Sequence, residues 1–277
     1  MTKSADRVLG TKFVHNFRDY GGYALAGGGR IKRGLLWRSG QHADADAADL
    51  GKIAGLDLAH VFDLRSPTER LHMPCRRPEG FAGRVHSIDD VPEDQRGSTE
   101  HGQSQHAPHV SAAVPDENMG RAHDAAAMRA AMRRVYEGIA FRPGQIAMMR
   151  NYLAVLAQGQ GASVINCLAG KDRTGIAVAM LHRALGVHHD DVMADYLLTN
   201  TAGDPAARIA AGAQSVRHVV GEIDPAAMDV LMGVEAEYLD TAFAAIRARF
   251  GSEEAYLASQ LGVDDALRAR LRAHLTE

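Results

Sequence analysis

The amino-acid sequence predicts an α/β fold: a central mixed sheet flanked by helices, followed by a helical C-terminal extension. Three observations carry this. Short apolar runs bounded by turn residues recur over the first 90 residues, as at 60–64 and 84–88. A further short apolar run, 162–165, sits between two helical patterns, as a buried strand does. From residue 125 onward, that run apart, apolar side chains recur at helical spacing almost to the end. The chain has 277 residues, 46% of them hydrophobic, enough for a sizeable core. No internal repeat interrupts it, so a single domain over 1–277 is expected, with 200–277 as its helical extension.

Taken in order, residues 11–40 read as short strands joined by turns at Gly21-Gly22 and Gly27-Gly28-Gly29. The triple glycine leads into an apolar stretch, 31–37, that reads as a strand. A phosphate-binding glycine loop opens a helix instead, so a hairpin turn is the expectation. Residues 43–55 are helical, with acidic residues in the first turns. Strands follow at 60–64 and 84–88. Residues 89–123 are polar and aperiodic, the pattern of a functional loop or lid inserted in the domain. Helices are expected at 125–137, 143–158, 174–186, 189–199, 204–219, 225–233, 235–249, 252–261 and 264–275. Gly186 and Gly251 stand where helices stop, and Asp224-Pro225 where one starts.

Composition excludes several functions. The formal charge of −3 gives no electrostatic case for nucleic-acid binding or for a broadly membrane-bound surface. No apolar run approaches the roughly 18 residues of a membrane span. Residues 1–10 are polar and do not read as a secretory signal. Two cysteines, Cys75 and Cys167, argue against a disulfide framework and for a single reactive thiol in a reducing, cytoplasmic compartment.

The chemistry is concentrated in residues 163–175, S-V-I-N-C-L-A-G-K-D-R-T-G. A strand, a tight loop and a helix N-terminus turn unpaired backbone N–H groups and the positive helix end toward an anion. Cys167 stands at the strand end facing that helix, where a thiolate is favoured as nucleophile. Arg173 can grip two phosphoryl oxygens with its planar fork. The backbone amides from Leu168 through Ala169, Gly170, Lys171 and Asp172 to Arg173 can meet the third oxygen and the spreading charge. Gly170 permits the curl, Gly175 lets the helix approach the strand, and Thr174 places a hydroxyl beside the sulfur.

C-L-A-G-K-D-R-T-G resembles the signature loop of cysteine-dependent protein tyrosine phosphatases. More narrowly it is similar to a bacterial tyrosine- and lipid-phosphatase branch whose loop reads H-C-x-x-G-K-D-R-T-G. The resemblance covers most of the chain. Asn16-Phe17-Arg18-Asp19-Tyr20-Gly21-Gly22, Leu36-Trp37-Arg38-Ser39-Gly40, Phe62-Asp63-Leu64-Arg65-Ser66 with Glu69, and Asp195-Tyr196-Leu197-Leu198-Thr199-Asn200 resemble further blocks of that branch, in order. It implies a protein-tyrosine-phosphatase-like fold and hydrolysis of phosphate monoesters through a cysteinyl-phosphate. The implied substrates are phosphotyrosine, phosphoserine or phosphothreonine in proteins, and phosphoinositides. It implies no metal and no organic cofactor. Oligomeric state is not legible.

One position departs from the branch: Asn166 replaces the histidine before the cysteine. The amide can hold the loop but carries no charge, so a less stabilised thiolate is expected. For the leaving-group proton the branch implies Asp172. Asp63, at a strand end, is the second candidate or else a carboxylate bonded to backbone or to Arg65, and Asp89 or Asp90 is the third or else part of a solvated turn. Lys171 adds positive charge at the loop rim and is the clue to phosphoinositides. Arg38 and Arg65 either add to the phosphate site or form buried ion pairs, Arg65 with Glu69 or Asp19. His101, His106, His109 and His123 lack metal-ligand spacing. The pair Met148-Met149 with Met228 and Met232 reads as core, and Cys75 as incidental. Two rival readings are a phosphate-binding pseudoenzyme, which Asn166 alone favours, and a sulfurtransferase, against which Lys171-Asp172-Arg173-Thr174-Gly175 argues.

Overall fold

The computed structural model describes residues 4–93, 124–220 and 224–277. Five strands form one sheet: β1 Arg18–Asp19, β2 Leu36–Ser39, β3 Leu58–Asp63, β4 Arg84–His86 and β5 Ala162–Asn166. Their spatial order is β1-β2-β5-β3-β4. β1 runs antiparallel to β2, and the other pairings are parallel, so the sheet is mixed as expected.

β5 is central and all five of its residues are buried. That explains its continuous rather than alternating apolar pattern, since helices cover both faces of a parallel sheet. Successive side chains still alternate between faces. Ala162 and Val164 join a small core with Val14, Phe17, Ile53 and Val61, while Ile165 joins the main core. In register, Ser39 and Asp63 both pair with Asn166. The carboxyl ends of β2, β5 and β3 therefore finish level, immediately before Cys167. That is where open α/β sheets bind ligands.

Eleven α-helices lie among the described residues: α1 Ala47–Ala54, α2 Pro67–His72, α3 Ala125–Ile139, α4 Pro143–Leu156, α5 Asp172–Leu185, α6 His189–Leu197, α7 Pro205–Val220, α8 Pro225–Met232, α9 Ala236–Phe250, α10 Glu253–Leu261 and α11 Asp265–Leu275. α3 packs against α8 and α9, and α10 and α11 against α4 and α5. The chain end returns to the front of the molecule. Arg30 and Glu277 exchange backbone hydrogen bonds at 2.8 and 2.9 Å.

Expected helix boundaries fall within a few residues of those observed, and two elements differ. Residues 31–37 do not form one strand: Gly34 has φ 79° and breaks the run, Ile31 makes only a bridge to Thr276, and β2 starts at Leu36. α2 is absent from the sequence reading. Its signal is the Ser66–Glu69 capping box with Pro67 at the first helical position. The triple glycine does form a hairpin turn, closed by an Ala24–Arg30 bridge. Of the polar segment 89–123, residues 94–123 lie outside the described residues, with His101, His106, His109 and His123.

Candidate active site

The loop from Cys167 to Lys171 joins β5 to α5, and distant residues set its shape. Gly170 has φ 67°, and a Cβ there would lie 2.3 Å from the Ser39 carbonyl oxygen, so only glycine fits. The Gly170 carbonyl accepts from Asn16 Nδ2 at 2.8 Å and Arg38 Nη2 at 3.0 Å. The Leu168 carbonyl accepts from the Gln41 amide at 2.9 Å. Peptide planarity then turns the following amides, of Ala169 and Lys171, the opposite way, away from these braces.

Arg38 is fixed in turn by Asp195 at 2.7 Å, with Arg18 3.6 Å from the same carboxylate. Burial opposes the Asp195 charge, but the two arginines outweigh it and hold its pKa down to about 2. Arg38 thus belongs to a buried ion-pair group that braces the loop from outside.

Arg173 sits in the first turn of α5. Glu69 on α2 holds it through both oxygens, at 2.7 and 2.8 Å, and the Leu64 carbonyl accepts from it at 3.0 Å. Gln145 donates to the Arg173 carbonyl at 2.9 Å. Burial alone would weaken the guanidinium charge. Glu69 and the nearby Cys167 sulfur more than offset it, so Arg173 stays charged. Cys167 itself is fully buried at the loop floor.

Asp172 opens α5. Its Oδ1 accepts from Tyr136 at 2.7 Å and from Lys171 Nζ at 3.0 Å. Lys171 also donates to the Gly233 carbonyl at 3.1 Å and is 3% exposed, so it is a buried structural cation rather than a free charge on the rim. Thr174 is buried, and its hydroxyl has no hydrogen-bond partner among the described residues.

Asp63 stands apart from this arrangement. It is paired bidentately with Arg65, at 2.6 and 2.8 Å, and accepts from Asn166 Nδ2 at 3.2 Å. Burial raises its pKa, and the Arg65 contacts lower it further, to below the ordinary carboxylate value. Arg65 therefore pairs with Asp63, not with Glu69 or Asp19. It also donates to Cys75 Sγ at 2.9 Å, which places Cys75 in the network behind Asn166. Asn166 Oδ1 is buried without a partner among the described residues. Asp89 is exposed and pairs with Arg70, and Asp90 caps its own turn through the Ser87 amide.

Gly175 lies close to both a helix and a strand, since a Cβ there would come within 3.7 Å of the Arg38 side chain of β2. A Cβ there would meet Tyr196 of α6 at 3.1 Å, so the glycine makes room for that ring. Sequence reasoning passed over Glu69 as the Arg173 partner, and over Tyr136 and Gln145. Only Glu69 left a signal, its place in the capping box.

A pocket opens beside the loop. Leu168, Ala169, Lys171 and Asp172 form one wall, and Met132, Val135, Leu231 and Met232 line apolar walls together with Arg208. Met232, expected as core, is also part of this wall. Arg208 is buried, its Nε has no partner among the described residues, and its guanidinium donates to the Met232 carbonyl. Among the described residues no three or more His, Cys, Asp or Glu side chains gather as metal ligands, and no helix is long and apolar enough to cross a membrane.

A sequence profile of the tyrosine phosphatase family matches residues 9–277. A Cupriavidus necator protein, named as a candidate tyrosine-protein phosphatase, is 36% identical over 273 residues, covering 94% of this chain and 85% of its own. The triple specificity protein phosphatase PtpB of Mycobacterium tuberculosis is 28% identical over 278 residues, covering 94% of this chain and 96% of its own.

Proposed function

We propose that this chain, a phosphatase that belongs to the tyrosine phosphatase family, cleaves phosphate monoesters through a cysteinyl-phosphate on Cys167. The observation that carries the reading is the pairing of a buried Cys167 with a charged Arg173 at one strand end, inside a loop whose Ala169 and Lys171 amides turn away from its outer braces. In the first step the Cys167 thiolate attacks phosphorus, an S–P bond forms, and the P–O bond to the leaving group breaks. Asp172 hands its proton to the departing oxygen. In the second step water attacks phosphorus, Asp172 takes its proton, and the sulfur leaves as thiolate with Thr174 beside it. Arg173 and the loop amides carry the phosphoryl charge throughout.

Asp172 is preferred to Asp63 because it stands on the wall of the pocket beside the loop, whereas Asp63 does not line that pocket and gives both oxygens to Arg65. The substrates we assign are phosphotyrosine, phosphoserine and phosphothreonine in proteins, and phosphoinositides. The name of the PtpB relative supports breadth. The buried cation Arg208, on the wall of the same pocket, supports an anionic headgroup.

The test is phosphate release from a panel of phosphotyrosyl and phosphoseryl peptides and soluble phosphoinositides, with Cys167→Ser as blank. Release by the wild type alone, together with acid-stable phosphate on sulfur after rapid quench, is expected. Equal release by Cys167→Ser overturns the mechanism.

A further inference from the structure

Tyr136, on α3, donates its hydroxyl proton to Asp172 Oδ1 at 2.7 Å, and accepts in turn from the Tyr196 hydroxyl on α6 at 2.7 Å. A phenol has a single proton to give. The carboxylate therefore fixes the direction of the chain: Tyr196 to Tyr136 to Asp172. Both rings are buried, and burial, then the Asp172 charge, pushes both phenols well above their ordinary pKa, so both remain donors. The ring of Tyr196 lies where a Cβ on residue 175 would meet it at 3.1 Å. The closing glycine of Arg173-Thr174-Gly175 thus admits the ring that begins the chain.

We propose that Tyr196 and Tyr136 are positioning residues for Asp172, orienting its carboxyl at the loop and setting the pH at which it releases its proton. The proposal rests on the assignment of Asp172 as acid made above. Among the described residues, other charged or titratable groups whose field reaches Asp172 include Lys171 and Arg173 on either side of it in the chain, Arg142 at the start of α4, Arg208 on α7 and Tyr238 on α9. None of the last three is hydrogen-bonded to it. Tyr136 and Lys171 share Oδ1, and the N-terminal end of α5 adds a further pull toward the charged form.

Hydrogen bonds donated to a carboxylate favour its charged form. Removing the Tyr136 hydroxyl therefore lets Asp172 keep its proton to higher pH. In Tyr136→Phe the basic limb of the kcat/KM profile should move up by about half to one pH unit, the worth of one such bond. With the carboxyl less well held, turnover of phenyl phosphate, a poor leaving group, should fall by about threefold to tenfold. Turnover of a nitrophenyl ester with a good leaving group should hold. Tyr196→Phe should shift the limb the same way by less. Placing 3-fluorotyrosine at position 136, nearly isosteric and a stronger donor, should shift it down, and this carries the test if the phenylalanine variant does not fold.

A limb that stays put in these variants, with equal losses on both esters, overturns the proposal. Asp172→Asn separates the two levels. If that variant shows no leaving-group dependence, the acid assignment fails and the relay with it. If it does and the tyrosine variants do not, only the relay fails.

Discussion

The guanidinium of Arg173 and the carboxylate of Glu69 meet fork to fork, at 2.7 and 2.8 Å, joining the first turn of α5 to α2. The same Glu69 oxygen that takes Arg173 Nη1 also accepts from the Ser66 amide at 2.7 Å, as half of the α2 capping box. One side chain therefore ends a helix and aims the phosphate clamp.

Glu69→Gln keeps an acceptor for the Ser66 amide but removes the charge that holds the fork. Breaking one side of a buried pair costs about 3–5 kcal/mol, part of it as stability and part as a misdirected Arg173. We expect kcat/KM on an aryl phosphate to fall about tenfold to a hundredfold, and inorganic phosphate to inhibit less tightly by a similar factor. Unchanged phosphate inhibition would show that Arg173 needs no guide.

Asn166→His puts an imidazole between Cys167 and the Asp63–Arg65 pair. The ring can donate to Asp63, as Asn166 Nδ2 does now at 3.2 Å, and can carry a charge beside the thiol. The pH midpoint of Cys167 alkylation by iodoacetamide should fall, and turnover should rise. A midpoint that stays where it was would mean that the loop amides and α5 alone set the thiolate.

Acid stability should decline in two windows. His42 is buried against Ser39, and burial, then Arg77, pushes its pKa down to about 3 from 6.5. The unfolded chain binds that proton first, so stability falls as pH drops from about 6.5 toward 3. Asp195 has its pKa held at about 2 against an ordinary 3.8. Its contribution, about 2 kcal/mol, is complete above 3.8 and is lost as pH falls through 2. Urea unfolding across pH should show both windows. His86, its pKa lowered to about 4, and His182, also lowered, act in the same first window. His42→Gln should therefore reduce its slope and leave the second window, and an undiminished slope would exclude His42 as a contributor.

Gly170→Ala asks a side chain to occupy the left-handed region with its Cβ 2.3 Å from the Ser39 oxygen. Left-handed backbone costs about 1–2 kcal/mol for alanine before the clash is counted. The loop must move off the end of β2. Loss of more than about a hundredfold in kcat with native far-ultraviolet circular dichroism is the expected result. Wild-type turnover would show that the loop shape is not needed.

What the sequence made legible follows from how locally each feature is encoded. Strand β5, the loop and α5 are contiguous, so apolar pattern and residue type sufficed. The Asp63–Arg65 pair was legible, since the two residues lie two positions apart, but choosing it over Glu69 or Asp19 as the Arg65 partner needed the fold, as did the level endings of β3 and β5 that bring Asn166 to Asp63. Lys171 was read as a rim charge because a lysine in a polar loop usually is one. The Gly233 carbonyl that captures it lies 62 positions away. Gly175 was assigned to helix–strand packing on the same local logic; Arg38 of β2 is within 3.7 Å of a Cβ there, but the tighter neighbour, Tyr196 at 3.1 Å, comes from the next helix.

The braces on the Gly170 carbonyl come from Asn16 and Arg38, 154 and 132 positions distant in the chain. A synthetic peptide of residues 163–175 would carry each reacting group and none of the curvature. The motif is therefore not portable as written. Transplanting it into a foreign strand–loop–helix would also require copying Asn16, Arg38 and Gln41, the two side chains and one backbone amide that hold it from outside.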